Sequence, residues 1–505
     1  MASAASLPTQ APHLNPRSRG LEPTVADQIS GRTHLFGILL LSLPFLGLGL
    51  LMNNLLFLSD SRAQIVARAL IAIDRGRLEL SGLSYPPLPS ILTLLRPDPS
   101  TLAIAAALSA GAIVWILWTQ LCQTRLSLVT RIVLLAGFGL APSTAFLATQ
   151  SFSEIFALLL FLVAWYSFLQ FTLSGETWGG FAAGLVLGLG FYINLYAALY
   201  GLMYALASPF FQRWSKDDSP KLRRQGALSG ILIIIFPVGM ALLTWIYLNW
   251  IFSGDGLHFL TDTPIPLFAY LNGDTASLGG LGHALTVTLS ELLQSPIYLL
   301  MGLISVIYSR RRLPTFLLPI VLITIVRALG FSYSAPFALC TYTVVALAAI
   351  PSMLSRHWEV VLILVMVLNV AIGVVTPNAS PIMSQWQQVV NNGKPSSADE
   401  QEAKVTQALR QAPAHSILAD DRSAYRLIAR TGSATPFILP VDSDFALAIA
   451  TPGHHASYLL MPTASLTDAV SGHFGLHVPL GFVLDSAWTG WQLYRRTSVP
   501  PLVGK

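Results

Sequence analysis

Two carboxylates stand where a reaction could use them. Asp60 follows Ser59 directly behind a long apolar block, and Glu154 opens another within Thr149-Gln150-Ser151-Phe152-Ser153-Glu154. An acid at the edge of a membrane is placed to take a proton from a hydroxyl. Each also has a plainer explanation as a helix-end charge: Ser153 could cap the helix that Glu154 opens, and an acid in a first turn suits the helix dipole. Between Asp60 and the next apolar block lie Arg62, Arg68, Arg75, Arg77 and Arg96, with Asp74, Glu79 and Asp98 among them. Ile65, Ala69, Ala72 and Ile73 recur there at helical spacing. The pattern predicts an interfacial helix over about Arg62 to Leu78, its arginines toward headgroups or an anionic ligand. Arg62 and Arg68 are thus candidate phosphate ligands. Arg327, near the end of a later span, is a third, with snorkelling to the interface as the alternative.

Other signals are weaker. Tyr85-Pro86-Pro87-Leu88 fixes an extended turn before the second span. Asp255, His258 and Asp262 follow a later span and leave open a divalent metal, although their spacing matches no strict ligand pattern. No other cofactor is expected. His454-His455 reads as an exposed loop pair, and two cysteines, Cys122 and Cys340, exclude a disulfide framework.

The elements that must position these residues are membrane helices. The chain has 505 residues, 53% hydrophobic and only 10% charged, whereas a soluble protein carries roughly a quarter charged residues. Apolar blocks long enough to span about 30 Å of hydrocarbon cover 34–58, 101–121, 128–147, 153–173, 227–251, 287–308, 313–330, 335–351 and 358–376. The net charge of +5 is spread in short basic clusters between these blocks, which is a topology signal and argues against a nucleic-acid partner. Placing the basic clusters (Arg17, Arg19 and Arg32; Arg125 and Arg131; Arg213 to Arg224; Arg310 to Arg312; Arg356) on one side requires the apolar stretch 178–207 to be two short helices, broken near Tyr192-Ile193-Asn194. The count is then about 11 spans, N-terminus cytoplasmic and C-terminus outside. Backbone groups at such a break are tolerable only against protein or a wet cavity, which marks Asn194.

Residues 1–32 are expected to be a disordered cytoplasmic tail with no secretory signal, and 33–378 a membrane domain with outer loops 59–100 and 252–286. Residues 379–505 are polar, with strand-like runs at 416–419, 437–439, 458–461 and 490–494 and helical stretches at 399–411 and 422–430. They read as a small α/β domain, with 391–400 the loop leading into it.

An Asp just past the first span, an amphipathic loop helix, a Pro-Pro-Leu turn and a Ser-Glu opening a later span together resemble the GT-C membrane glycosyltransferases. The similarity is greatest to the group of protein O-mannosyltransferases and aminoarabinose transferases. The glycine-rich stretch Ala182 to Tyr196, the Asn249 to Leu260 stretch, Leu418 to Arg422 and the closing Trp491 to Arg495 are similar to segments of the same group. The resemblance implies transfer of a sugar from a polyprenyl-phosphate carrier to a glycan, lipid or protein acceptor, with inversion, on the outer face of a bacterial cytoplasmic membrane. It assigns Asp60 and Glu154 to catalysis, Arg62, Arg68, Asn194 and Arg327 to the donor phosphate, and Tyr85, Asp255 and His258 to the acceptor loops. Three positions depart from the group: Ser61 follows Asp60 where a second acid is common, Asn194 stands where Lys is common, and Gly256 replaces a Pro. The alternatives are a transporter or flippase of lipid-linked glycans, a ligase of whole glycans, or a non-catalytic relative.

Overall fold

The computed structural model describes residues 31–77, 85–174, 176–211, 219–261, 280–308, 313–352, 354–376, 380–463, 468–475 and 478–502. Residues 1–30 of the expected N-terminal tail, Glu79 and Asp262 lie outside them, while Gly31 and Arg32, expected in that tail, open the first helix. Among the described residues, five helices are long and apolar enough to cross a membrane: α1 (Gly31–Asn54), α4 (Pro99–Cys122), α7 (Phe152–Ser174), α10 (Pro220–Ser253) and α16 (Arg356–Val375). Only 17% of the α16 window and 22% of that of α10 are buried within protein. Leu232, Phe236, Leu243, Leu364 and Val367 instead point outward, a surface that lipid can cover and water cannot. The chain is a polytopic membrane protein.

Two expected spans are bent pairs. Residues 128–147 divide into α5 (Leu128–Leu140) and α6 (Pro142–Gln150) with a 57° turn, and 287–308 into α12 (Gly280–Leu293) and α13 (Pro296–Tyr308) with a 90° turn. In each case a proline opens the second helix, where its missing N–H costs nothing. Because α12 starts at Gly280, it takes in part of the expected outer loop 252–286. Seven spans result if each bent pair counts once. Four further apolar helices are shorter: α8 (Thr177–Phe191), α9 (Leu195–Phe211), α14 (Leu313–Ala328) and α15 (Ala335–Ala348). The break between α8 and α9 falls on Tyr192-Ile193-Asn194, and the Asn194 side chain accepts the Tyr196 N–H at 2.9 Å.

Helix α8 packs through Gly180, Gly184 and Gly188, one face at four-residue spacing. A Cβ on Gly184 would lie 2.3 Å from the Ile234 carbonyl oxygen, and one on Gly188 2.9 Å from that of Pro237. Small residues permit this backbone-to-backbone approach to α10.

Short helices α2 (Asp60–Asp74) and α3 (Pro87–Leu95) follow the first span, and α11 (His258–Thr261) follows α10. The expected amphipathic helix is α2, but its apolar face is not turned to lipid. Leu58, Ala63, Val66 and Leu70 pack against Leu427, Ile428, Ile417 and Phe437 of the C-terminal region in one cluster. That region contains α17 (Pro381–Asn392), α18 (Ser397–Leu409), β1 (Ile417–Leu418), α19 (Asp421–Thr431), β2 (Phe437–Ile438), α20 (Phe445–Ala450), α21 (Pro452–His455), β3 (Tyr458–Pro462), α22 (Ala469–Phe474), β4 (Phe482–Trp488) and β5 (Trp491–Arg496). The sheet order is β2-β1-β3-β5-β4, with β2, β1 and β3 parallel and β5 and β4 antiparallel. Strand β4 and helix α17 were not legible as such in the sequence, and the segment 391–400 includes the Ser396 cap and first turn of α18.

Replacing Gly184 by Val is expected to destabilise the protein by about 1–3 kcal/mol, the usual overpacking cost, or to abolish expression. Thermal unfolding in detergent checks this, with Gly239→Val, where no neighbour lies within 4 Å, as the control.

Candidate functional site

The α8–α9 break opens into a hollow, where several helix ends also meet. A cavity of about 770 Å³ is lined by Asp60 and Gln64 at the start of α2, Tyr85, Gln150, Ser151, Ser153 and Glu154 where α6 meets α7, Asn194 and Tyr196 at the α8–α9 break, His283 and Glu291 on α12, Arg327 on α14, Tyr333 and Ser334 ahead of α15, and Tyr425 on α19. Chain ends at that depth leave peptide groups that lipid cannot satisfy. A polar cavity can.

Asp60 and Glu154 share this cavity. Asp60 keeps about half of its side chain open (51%) and pairs with Arg426 of α19 at 2.9 Å. Burial, together with the nearby Asp60 carboxylate, pushes the Tyr425 phenol above its ordinary value. Glu154 accepts a hydrogen bond from Ser334 Oγ at 2.6 Å. Ser153 is not the cap of α7, because the helix already begins at Phe152; its buried hydroxyl has no partner among the described residues.

Arg327 does not snorkel. Its side chain is 10% exposed and is gripped by Glu291 through two bonds of 2.6 and 2.8 Å. Further bonds of 3.2 Å run to Thr288 Oγ1 and the Tyr333 carbonyl, and the guanidinium sits 5.6 Å from the Tyr333 ring centre. Below it, Tyr333 and Tyr200 join hydroxyls at 2.7 Å, and Tyr196 donates to the Ser332 carbonyl. Among the described residues lining the cavity, the basic side chains are Arg327 and His283.

The expected loop arginines go elsewhere. Arg62 is 2% exposed and does not line the cavity; it donates to the Pro99 carbonyl (2.7 Å), the Thr149 carbonyl (3.1 Å) and Asn53 Oδ1 (2.7 Å). It ties helix ends together, so the phosphate role expected for it is corrected: its donors are spent on protein oxygens. Arg68 also lies off the cavity, within electrostatic reach of Asp421, whose carboxyl burial pushes up to about 6. Arg75 pairs with Asp442 at 2.5 and 2.8 Å. Arg68 and Arg75 serve the seam between α2 and the C-terminal region, which packs on the face that carries them, whereas Arg62 is held among the ends of the membrane helices.

Tyr85 lines the cavity, donates to the Phe191 carbonyl at 2.6 Å and packs against Phe191, Trp245 and Phe259. Asp255 and His258 do not line it. Asp255 instead accepts the Leu257 N–H at 2.9 Å at the start of the turn into α11, and α11 delivers Phe259 to Tyr85. No group of three or more His, Cys, Asp or Glu suited to a metal occurs among the described residues.

Sequence reasoning passed over four cavity neighbours: Glu291, His283, Tyr425 and Arg426. Glu291 had a signal, since an acid inside an apolar block is costly unless paired. Tyr425 and Arg426 had none, lying more than 360 positions from Asp60.

No family model and no curated protein matches the sequence. Among solved structures, the chain is similar to ArnT from Cupriavidus metallidurans bound to undecaprenyl phosphate, with TM-score 0.56 and 10% identity over 94% of this chain and 100% of that one. The chain has the GT-C fold. At that identity the likeness is one of fold, extending through both the membrane helices and the C-terminal sheet.

Removing one partner of a buried ion pair costs about 3–5 kcal/mol, while replacing both by apolar residues is often neutral. Glu291→Ala is therefore expected to lower the thermal midpoint clearly, and Glu291→Leu with Arg327→Met to restore most of it, as measured on the purified protein in detergent.

Proposed function

We propose that the protein transfers a sugar from a polyprenyl-phosphate-linked donor to an acceptor hydroxyl at the outer, periplasmic face of the membrane, with inversion and with Asp60 as general base. The observation that carries this reading is the gathering of Asp60, Glu154 and Arg327 around one large polar cavity. The acceptor oxygen attacks the anomeric carbon from the face opposite the phosphate. Its proton passes to Asp60 while the bond from the sugar to the phosphate oxygen breaks, and the carrier leaves as the free lipid phosphate. One displacement at carbon inverts its configuration.

The fold likeness to a protein bound to undecaprenyl phosphate supports a lipid phosphate in the cavity. Arg327, held in place by Glu291, and His283 are the cationic groups available to it. A guanidinium fixed before the reaction stabilises charge that develops on the leaving group without reorganising. Glu154, a further acid in the cavity, suits hydrogen bonds to sugar hydroxyls. The acceptor end, with Gln64, Ser61 and Tyr425, is uncharged apart from Asp60, which suits a neutral hydroxyl-bearing acceptor. Sidedness rests on charge: Arg125, bonded to the Ser352 carbonyl, and Arg356, beside Glu359, sit at the end of the helices away from the cavity, where the positive-inside rule puts cytoplasm. Division into a membrane domain to 378 and a C-terminal domain from 379 belongs to the same reading.

General bases contribute about 10²–10⁴-fold. Asp60→Asn is expected to lower kcat by that factor with the donor KM nearly unchanged, measured as transfer from a polyprenyl-phosphate sugar in detergent. Full activity in the variant removes Asp60 from the mechanism. In the same assay Arg327→Ala raises the donor KM; an unchanged KM would place the phosphate elsewhere.

A further inference from the structure

The connection between α1 and α2 is held in an unusual conformation by distant residues. Leu56 has φ +57°, and a non-glycine residue there persists only where its surroundings hold it. Its carbonyl accepts from Arg430 Nη2 at 2.8 Å, and the Leu58 carbonyl accepts from Arg426 Nη1 at 2.6 Å. The same Nη1 donates to Asp60 Oδ1 at 2.9 Å. Both guanidiniums are braced from behind: Arg426 by Glu402 (2.8 and 3.0 Å) and Asp399 (2.9 Å), Arg430 by Glu402 (3.0 Å) and Asp399 (2.5 Å). Asp399 is fully buried and receives Ser396 Oγ at 2.6 Å. On the far side, Gln150 takes the Ser59 N–H at 3.3 Å and the Ser59 hydroxyl at 2.9 Å.

We infer that Arg426 and Arg430 are positioning residues: an arginine clamp on the C-terminal region that sets the Asp60 carboxylate at the cavity wall and makes that region part of the reacting site. Arg426 does not line the cavity; it acts through Asp60. A planar guanidinium can meet a carboxylate, a carbonyl and a second acid at fixed angles, which a lysine ammonium cannot do at once. The clamp also leaves half of Asp60 open, as a base that must meet an acceptor requires. Asp399 and Glu402 keep the two arginines aimed, so the acids of α18 shape the site without reaching it.

This inference rests on Asp60 being the base, and its test separates the two ideas. Misplacement of a reacting group by about 1 Å costs about 10²-fold. In the full-length protein in nanodiscs, Arg426→Ala should lower kcat about 100-fold with the donor KM unchanged within about twofold, and Arg426→Lys should recover about a tenth to a half of the activity. In an Asp60→Asn background, Arg426→Ala should lower the residual rate by less than about twofold, because a residue acting through Asp60 has nothing left to position. Losses that multiply in the double variant overturn the proposal. A second arm needs no activity: amide hydrogen exchange across residues 57–63 should speed up about tenfold or more in Arg426→Ala and less in Arg426→Lys, while 142–150 stays unchanged. Unaltered exchange in 57–63 overturns the clamp whether or not the chain transfers sugar. Faster exchange with full activity in Asp60→Asn would keep the clamp and reject the base.

Discussion

A peptide group in hydrocarbon has no water to turn to, and every helix end inside a bilayer must find a partner in the protein or in a wet pocket. Among the described residues, several such ends meet at one place. The turn from α6 into α7, the Tyr192-Ile193-Asn194 break, the start of α15 and the start of α2 all bring backbone there. Gathering them around one polar cavity satisfies them together, and the same gathering collects Asp60, Glu154, Asn194 and Arg327. The cavity is thus a consequence of how the helices stop.

Charge in this setting is held in pairs. Arg327 and Glu291 neutralise one another in a nearly closed environment, and Thr288 and Tyr333 take the remaining directions. An isolated ion there would cost several kcal/mol. A paired one costs far less and is fixed in place. The same logic governs Arg62, whose donors are consumed by carbonyls and Asn53. The two arginines differ in where they lie: Arg327 lines the cavity and Arg62 does not.

Helix α2 is the joint between the two parts of the molecule. Its first residue faces the cavity, its apolar face packs under the C-terminal sheet, and its last turn is fastened by Asp74 to Ser433 and Thr435 and by Arg75 to Asp442. Arg68, Arg75 and Arg77, which look misplaced on the outer side of a membrane, are explained by this seam. They meet protein acids and carbonyls, so they need neither headgroups nor a substrate.

Local information in the sequence was enough for the membrane character, the splitting of 178–207 at Tyr192 to Asn194, the helix after Asp60, most strands of the C-terminal region and the two acids that share the cavity. Hydropathy, helical periodicity and charge balance act over windows of about 20 residues or fewer, and a single chain displays them directly. Tertiary structure alone decided the bends at Pro142 and Pro296, the burial of Arg62, the removal of Asp255 and His258 from the cavity wall, and the meeting of Arg426 with Asp60. Those outcomes depend on which surfaces face each other after folding. A guanidinium on α19 and a carboxylate at the head of α2 carry no mark of one another until packing brings them within 2.9 Å.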